Sequence, residues 1–138
     1  MRTSIIAGIL GLAATLPVSA QVQITEARIG QPGVDSDLYV ELAGAPGTNL
    51  NGLQLVVIGD LEGQFPPNQN GGVELVAGLN GTIGSSGRYV IAPSSFTLGN
   101  QDQIVPLSFE QGDNLTLVLA DSYAGTVGDD VDLDNDGF

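Results

Sequence analysis

The sequence predicts an all-β fold, an antiparallel β-sandwich of about seven short strands. Its apolar residues come in short runs that alternate with polar residues or are wholly apolar, which is the pattern of strands. Turn-forming Gly, Pro, Asn and Asp residues separate these runs, and the chain contains 20 Gly and 7 Pro. No segment after residue 20 has the apolar spacing of a helix. Short strands between such turns favour a sandwich, with a closed barrel as the alternative.

Three predicted strands show their faces by alternation of apolar residues. They span residues 38–42, 88–92 and 115–119. Because successive strand side chains point to opposite faces, alternate residues of each strand share one face. The residues that share these faces are Leu38, Val40 and Leu42 (facing inward), then Tyr89 and Ile91, then Leu115, Leu117 and Leu119.

Four further runs complete the predicted sheet content. Residues 22–28 and the short run 73–76 are candidates of mixed polarity. Residues 53–58 are nearly all apolar, which predicts a central strand covered on both faces. Residues 104–109 are interrupted by Pro106, so we expect this run to lie at a sheet edge or to be irregular.

The first twenty residues have the pattern of a cleaved secretory signal peptide. Arg2 is followed by an apolar run from Ile5 to Leu16, and Val18-Ser19-Ala20 fits the small-residue cleavage pattern. The run is shorter than the roughly 20 residues that a transmembrane helix needs, and an uncleaved anchor is the alternative. We therefore expect a single domain over residues 21–138, exported by a bacterium to the periplasm, the cell surface or the medium.

The charge of the mature chain restricts its partners. Without Arg2, two arginines remain beside 16 acidic residues, a formal charge of −14. Such a field disfavours nucleic-acid binding by this domain alone and disfavours anionic membranes. The chain has no cysteine, so an exported domain of this size must rely on its core or on a metal ion for stability.

The missing residue types argue against an enzyme. With no His, Cys or Lys, the chain cannot assemble the usual nucleophilic triads, a Schiff-base lysine or a zinc site of N and S ligands. Paired carboxylates are the remaining route, and Glu26 and Glu41 lie on strands that could be neighbours. The favoured alternative is that both are surface carboxylates, paired with Arg28 or Arg88.

Residues 129–138 form the most distinctive motif of the sequence. Aspartates at the first, third and fifth positions, followed by a glycine at the sixth, are typical of a Ca²⁺-binding loop. The predicted ligands are Asp132, Asp134, Asp136 and the carbonyl of Phe138, with Asp130 as an alternative start of the loop. A solvated, flexible acidic turn is the competing interpretation. Such a loop needs one more acidic ligand several positions later, which leads us to expect that the natural chain continues beyond Phe138.

A second acidic pair carries a weaker signal. Asp35 and Asp37 stand two residues apart, directly before the strand predicted at 38–42. A polar loop that leads into a strand explains this pair better than a metal site does.

Five short motifs, taken in order, resemble those of a known family. They are Ile24–Ile29, Asp35–Leu42 with its acidic pair before an aromatic residue and Glu-Leu, Leu50–Leu53, Gly87–Ala92 and Gly112–Leu117. Their order and spacing, over residues 22–138, are similar to those of bacterial lamin-tail-like domains. That resemblance implies an immunoglobulin-like β-sandwich, exported or attached to a surface. It implies no catalytic residue within the module, which in this family sometimes accompanies a nuclease or phosphatase domain.

These observations predict a secreted, non-catalytic module, stabilised by Ca²⁺ and acting in surface binding or as a spacer. Its partner would be an extracellular ligand or a neighbouring domain. The main alternative is an accessory module at the N-terminus of a larger exported hydrolase, with the catalytic domain after Phe138. A third hypothesis is a structural protein that self-associates through an unpaired sheet edge.

Overall fold

The described residues of the chain form strands and loops only. The computed structural model describes residues 21–59, 71–109 and 114–133, and no helix occurs in these three ranges. The predicted signal peptide lies outside them. The described ranges contain seven strands: β1 (Gln23–Arg28), β2 (Tyr39–Ala43), β3 (Leu53–Gly59), β4 (Gly72–Gly78), β5 (Arg88–Ala92), β6 (Gln103–Ile104) and β7 (Thr116–Asp121). The prediction of an all-β fold with about seven strands is confirmed. A helix that could cross a membrane is likewise not found among the described residues.

The strands form two sheets. One has four strands in the order β1-β2-β5-β6, and the other has three in the order β4-β3-β7. Every pair is antiparallel except β5–β6, which is parallel. The prediction of a purely antiparallel arrangement is therefore wrong at this pair.

The parallel pair arises because the chain crosses over after β5 instead of turning back. Asp102 forms two hydrogen bonds with the backbone of Val90. The Asp102 N–H donates to the Val90 carbonyl (2.8 Å), and the Asp102 carboxylate accepts from the Val90 N–H (2.8 Å). These two bonds align the next residues beside β5 in the same direction. Pro106 then follows, and it has no N–H to continue a ladder.

Alternation of buried residues within the strands is confirmed. Leu38, Val40 and Leu42 are at most 1% exposed, and Tyr89 and Ile91 are at most 3% exposed. These side chains belong to one hydrophobic cluster that also takes residues from the three-stranded sheet, namely Leu55, Val57 and Ala77. The core therefore lies between residues of both sheets.

β3 is the central strand of its sheet. Three consecutive residues, Leu55, Val56 and Val57, are at most 2% exposed, so the prediction of a strand covered on both faces is confirmed. Leu55 and Val57 belong to the core cluster, and Val56 does not, because it points to the opposite face. After β7 the chain passes from one edge of this sheet to the other, where the Gly128 N–H donates to the Val73 carbonyl. Since the core occupies the inner face, this connection crosses the outer face, where Val56 lies.

The run 104–109 forms an edge, as predicted. Only Gln103–Ile104 pair as a strand, yet Val105, Leu107 and Phe109 are buried in alternation. The predicted short strand at 73–76 is longer, Gly72–Gly78. β7 carries Leu117 and Leu119 against the core cluster, which confirms their shared face.

Candidate functional site

The first half of the acidic segment, residues 129–133, lies along the outer edge of β4. The Val73 N–H donates to the Asp129 carbonyl (2.8 Å), and the Val131 N–H donates to the Gly71 carbonyl (2.9 Å). Gly72 and Asp130 form an isolated antiparallel bridge. The start of the segment is therefore part of the fold, and it covers an edge of the three-stranded sheet.

A tight turn leads the chain into this edge. The Asp129 carboxylate accepts hydrogen bonds from the backbone N–H (2.7 Å) and the hydroxyl (3.3 Å) of Thr126. The Asp129 N–H donates to the Thr126 carbonyl (3.1 Å). Gly128 supplies the positive φ of +94° that the turn requires. Asp129 thus closes the turn that positions the residues after it.

Two of the predicted calcium ligands lie side by side in this segment. The Asp132 N–H donates to Asp130 Oδ1 (2.9 Å), which places the two aspartates on one short loop. Asp132 is only 6% exposed, and among the described residues it is the one buried charged side chain. A buried carboxylate is stable only where hydrogen bonds or a cation offset the loss of its hydration. Burial alone does not distinguish hydrogen bonds from a cation, so a cation at Asp132 stays a prediction.

Gly71 makes room for Asp132. A Cβ atom at position 71 would lie 2.6 Å from the Asp132 Cβ and 2.9 Å from its backbone nitrogen. Gly71 also has a φ of +87°, which side chains rarely tolerate. The acidic segment thus packs at Asp132 directly against the backbone of position 71.

Three of the predicted ligands, Asp134, Asp136 and Phe138, lie outside the described residues. Within the described ranges, no three acidic, His or Cys side chains come together as a metal site. The structure therefore brings Asp130 and Asp132 together, and a complete calcium site stays a prediction.

The pair Asp35 and Asp37 is used to fold loops. Asp35 Oδ1 accepts from the Gln31 N–H (2.9 Å). Asp37 Oδ1 accepts from the Thr97 N–H (2.6 Å) and the Thr97 hydroxyl (2.9 Å), so it ties the β1–β2 loop to the β5–β6 loop. These bonds to Thr97 hold the pKa of Asp37 below its usual value. This geometry favours the polar-loop interpretation of the pair.

Glu26 and Glu41 do lie on neighbouring strands, where they face each other in the β1–β2 register. Glu41 forms an ion pair with Arg88 and accepts from the Thr25 hydroxyl (2.9 Å). The Tyr39 hydroxyl donates to Glu26, and this bond raises the pKa of Tyr39. Glu41 therefore pairs with Arg88, as the favoured alternative expected, whereas Glu26 is bound by Tyr39 and by no arginine of the described ranges.

Neither Gly71 nor Thr126 was predicted from the sequence as part of the site. Thr126 stands two residues before Gly128 and three before Asp129, and this turn signal could have been read from the sequence. The close approach of Gly71 to Asp132 had no such signal, because the two residues are 61 positions apart in the chain.

Comparison of the chain with protein-family models, with curated proteins and with solved structures finds no match. Its function must therefore be argued from its own residues.

Proposed function

We propose that the chain is an exported, non-catalytic module with an immunoglobulin-like β-sandwich of lamin-tail-like type. Its acidic segment binds Ca²⁺, and the module serves to bind a surface or to space neighbouring domains. One observation carries the proposal: the acidic segment joins the edge of β4 and buries Asp132 there. A loop that is part of the fold can convert cation binding into stability of the whole domain.

The sheet arrangement supports the sandwich. Strands β2 and β5 of the first sheet and β3 and β4 of the second contribute side chains to the same cluster. Residues of one face of each sheet fill this cluster, which is how two stacked sheets share a core. The short, mainly antiparallel strands and the chain crossing between sheets are typical of immunoglobulin-like folds.

The chemistry of the acidic segment supports Ca²⁺. This ion takes about six to eight oxygen ligands in flexible geometry, which suits closely spaced aspartates. Five aspartates in residues 129–136 repel one another, and a divalent cation relieves that repulsion. In the proposed site, Asp130 and Asp132 supply the first carboxylates, and Asp134, Asp136 and the Phe138 carbonyl supply the remaining ligands.

The carboxylates of the strands support a role without catalysis. General acid–base catalysis by two carboxylates requires both to face a substrate. Here Glu41 is tied to Arg88, and Glu26 accepts from Tyr39. The chain has no His, Cys or Lys, so it cannot form the usual nucleophilic triads or a zinc site of N and S ligands.

Isothermal titration of the purified chain with CaCl₂ tests the proposal. The wild type should bind Ca²⁺, and the triple variant Asp132→Asn, Asp134→Asn, Asp136→Asn should lose that binding. Asp121→Asn is the matched control, because Asp121 is exposed at the end of β7 and lies outside the acidic segment. Equal calcium affinity in the wild type and the triple variant would exclude the calcium site.

A further inference from the structure

Strand β7 lies at an edge of the three-stranded sheet. In the order β4-β3-β7, this strand has β3 on one side, and on its other side it pairs with no strand of the described ranges. An edge of this kind presents backbone N–H and C=O groups that can pair with an added strand.

The register fixes which residues present those groups. The Ser122 N–H donates to the Gly52 carbonyl (3.3 Å), so this pair is hydrogen-bonded to β3. Pairs alternate along an antiparallel ladder between hydrogen-bonded and non-hydrogen-bonded types. Continuing the register from Leu53↔Asp121 to Val57↔Leu117, the backbone groups of Leu117, Leu119 and Asp121 point away from β3.

Hydrogen bonds between the two sheets indicate which of their edges lie together. Gln103 Nε2 donates to the Gly78 carbonyl (2.9 Å), and the Tyr89 hydroxyl donates to the Asn80 carbonyl (2.7 Å). These bonds place the end of β4 beside the β5–β6 side of the other sheet. If the two sheets stack as an aligned sandwich, their opposite edges, β7 and β1, lie together on the other side.

We define the open seam as the partly buried side chains at these two edges. Five of the seven partly buried apolar residues that pack against the core belong to it: Val22, Ile24, Leu115, Leu117 and Leu119. The seam adds an apolar surface to the hydrogen-bonding edge of β7.

We propose that β7 accepts an antiparallel strand from a cationic segment of another protein, with the open seam receiving its apolar side chains. Residues that face each other across an antiparallel pair point to the same face of the sheet. The residues opposite Leu117 and Leu119 are therefore apolar and face the seam, while those between them point outward. The formal charge of −13 attracts a basic segment to the molecule as a whole, so we place lysine or arginine at these outward positions.

A second copy of this chain fits the edge less well. Two copies would bring two strongly negative molecules together. They would also meet only along one strand of six residues, which leaves little further surface to bury. A flexible peptide avoids both penalties, because it can follow the edge and enter the seam.

Hydrogen exchange followed by NMR tests the edge without any substitution. In the free chain, the amides of Leu117, Leu119 and Asp121 should exchange quickly, while those of Val118 and Ala120 should be protected by β3. Equal protection of both sets would show that the chain itself covers this edge, and that result would overturn the inference. Concentration-dependent dimers that protect only the first set would overturn it too, because the occupant would then be a second copy.

The probe for the partner is a capped heptapeptide of alternating lysine and valine. It should protect Leu117, Leu119 and Asp121, and its binding should weaken as salt is raised. N-methylation of the valines, which face these residues, should weaken binding by about tenfold or more, whereas N-methylation of the lysines should have little effect. Equal binding of a glutamate–valine peptide would overturn the claim of a cationic partner. The inference rests on the proposed role as a binding module, but the calcium titration tests that role through different residues, so the two can fail separately.

Discussion

At position 71 the lack of a side chain allows the acidic segment to reach the edge of β4. The backbone there combines a positive φ with direct contact to Asp132. Each condition alone would favour glycine, and together they make position 71 the residue on which the segment most depends. The two costs can be separated, because Gly47 has a similar φ of +83° with nothing within 4 Å of a Cβ atom.

We expect Gly71→Ala to lower the free energy of unfolding by about 3 kcal/mol, from about 1–2 for the left-handed backbone and the rest for overlap with Asp132. Gly47→Ala should cost only the backbone part, about 1 kcal/mol. Urea denaturation of both variants measures the difference. If both variants lose the same free energy of unfolding, the close contact between position 71 and Asp132 adds nothing to the cost of the substitution.

At the scale of elements, hydrogen bonds between loops hold one end of the molecule together. Asp37 connects the β1–β2 loop to Thr97 in the β5–β6 loop, and the Ser95 hydroxyl donates to the Ser36 carbonyl (2.8 Å) in the same region. Tyr39 and Phe96 add an edge-to-face ring contact with centroids 5.7 Å apart. The crossover that makes β5 and β6 parallel is therefore fixed at its outer end by a side chain.

The lowered pKa of Asp37 gives this connection a pH dependence. The folded state favours the carboxylate, so its stabilising effect is present above the ordinary Asp value of 3.8 and is lost as the pH falls through the lower, folded value. NMR titration of the Asp37 carboxyl carbon should show this low pKa. Thr97→Val removes the hydroxyl donor and keeps the backbone donor, so it should raise the pKa of Asp37 part of the way to its usual value. An Asp37 pKa at its usual value in the wild type would contradict the account.

The elements also show how far the sequence could predict this structure. Period-two alternation identified the buried faces of β2 and β5, because side-chain direction in a strand follows directly from position. The parallel pairing of β6 had no local signal, since it depends on the Asp102 contacts with Val90. The pairing of residues 129–131 with β4 was also missed, because their composition indicated a metal-binding loop and edge pairing is decided by tertiary contacts.

The molecule as a whole carries a large net negative charge. The chain has 16 acidic residues and three basic ones, so self-repulsion opposes the compact state. The acidic segment is the densest part of that charge, and it is packed against the domain at Asp132.

In calcium-free buffer we expect NaCl to raise the melting temperature, because screening weakens the repulsion among exposed carboxylates. The triple variant at Asp132, Asp134 and Asp136 should show a smaller rise, since it removes three of those charges. Differential scanning calorimetry over a series of salt concentrations measures both. A melting temperature that falls with salt would show that attractive ion pairs, and not repulsion, dominate the electrostatics of the fold.

We propose that the acidic segment is a calcium site built into the fold. The most direct measurement is an NMR titration of backbone amides with CaCl₂. We expect shifts to concentrate in residues 129–138 and to extend across the edge to Gly71, Gly72 and Val73, which contact that segment. If these amides do not shift, or if the shifts concentrate around Asp35 and Asp37, the acidic segment is not the calcium site.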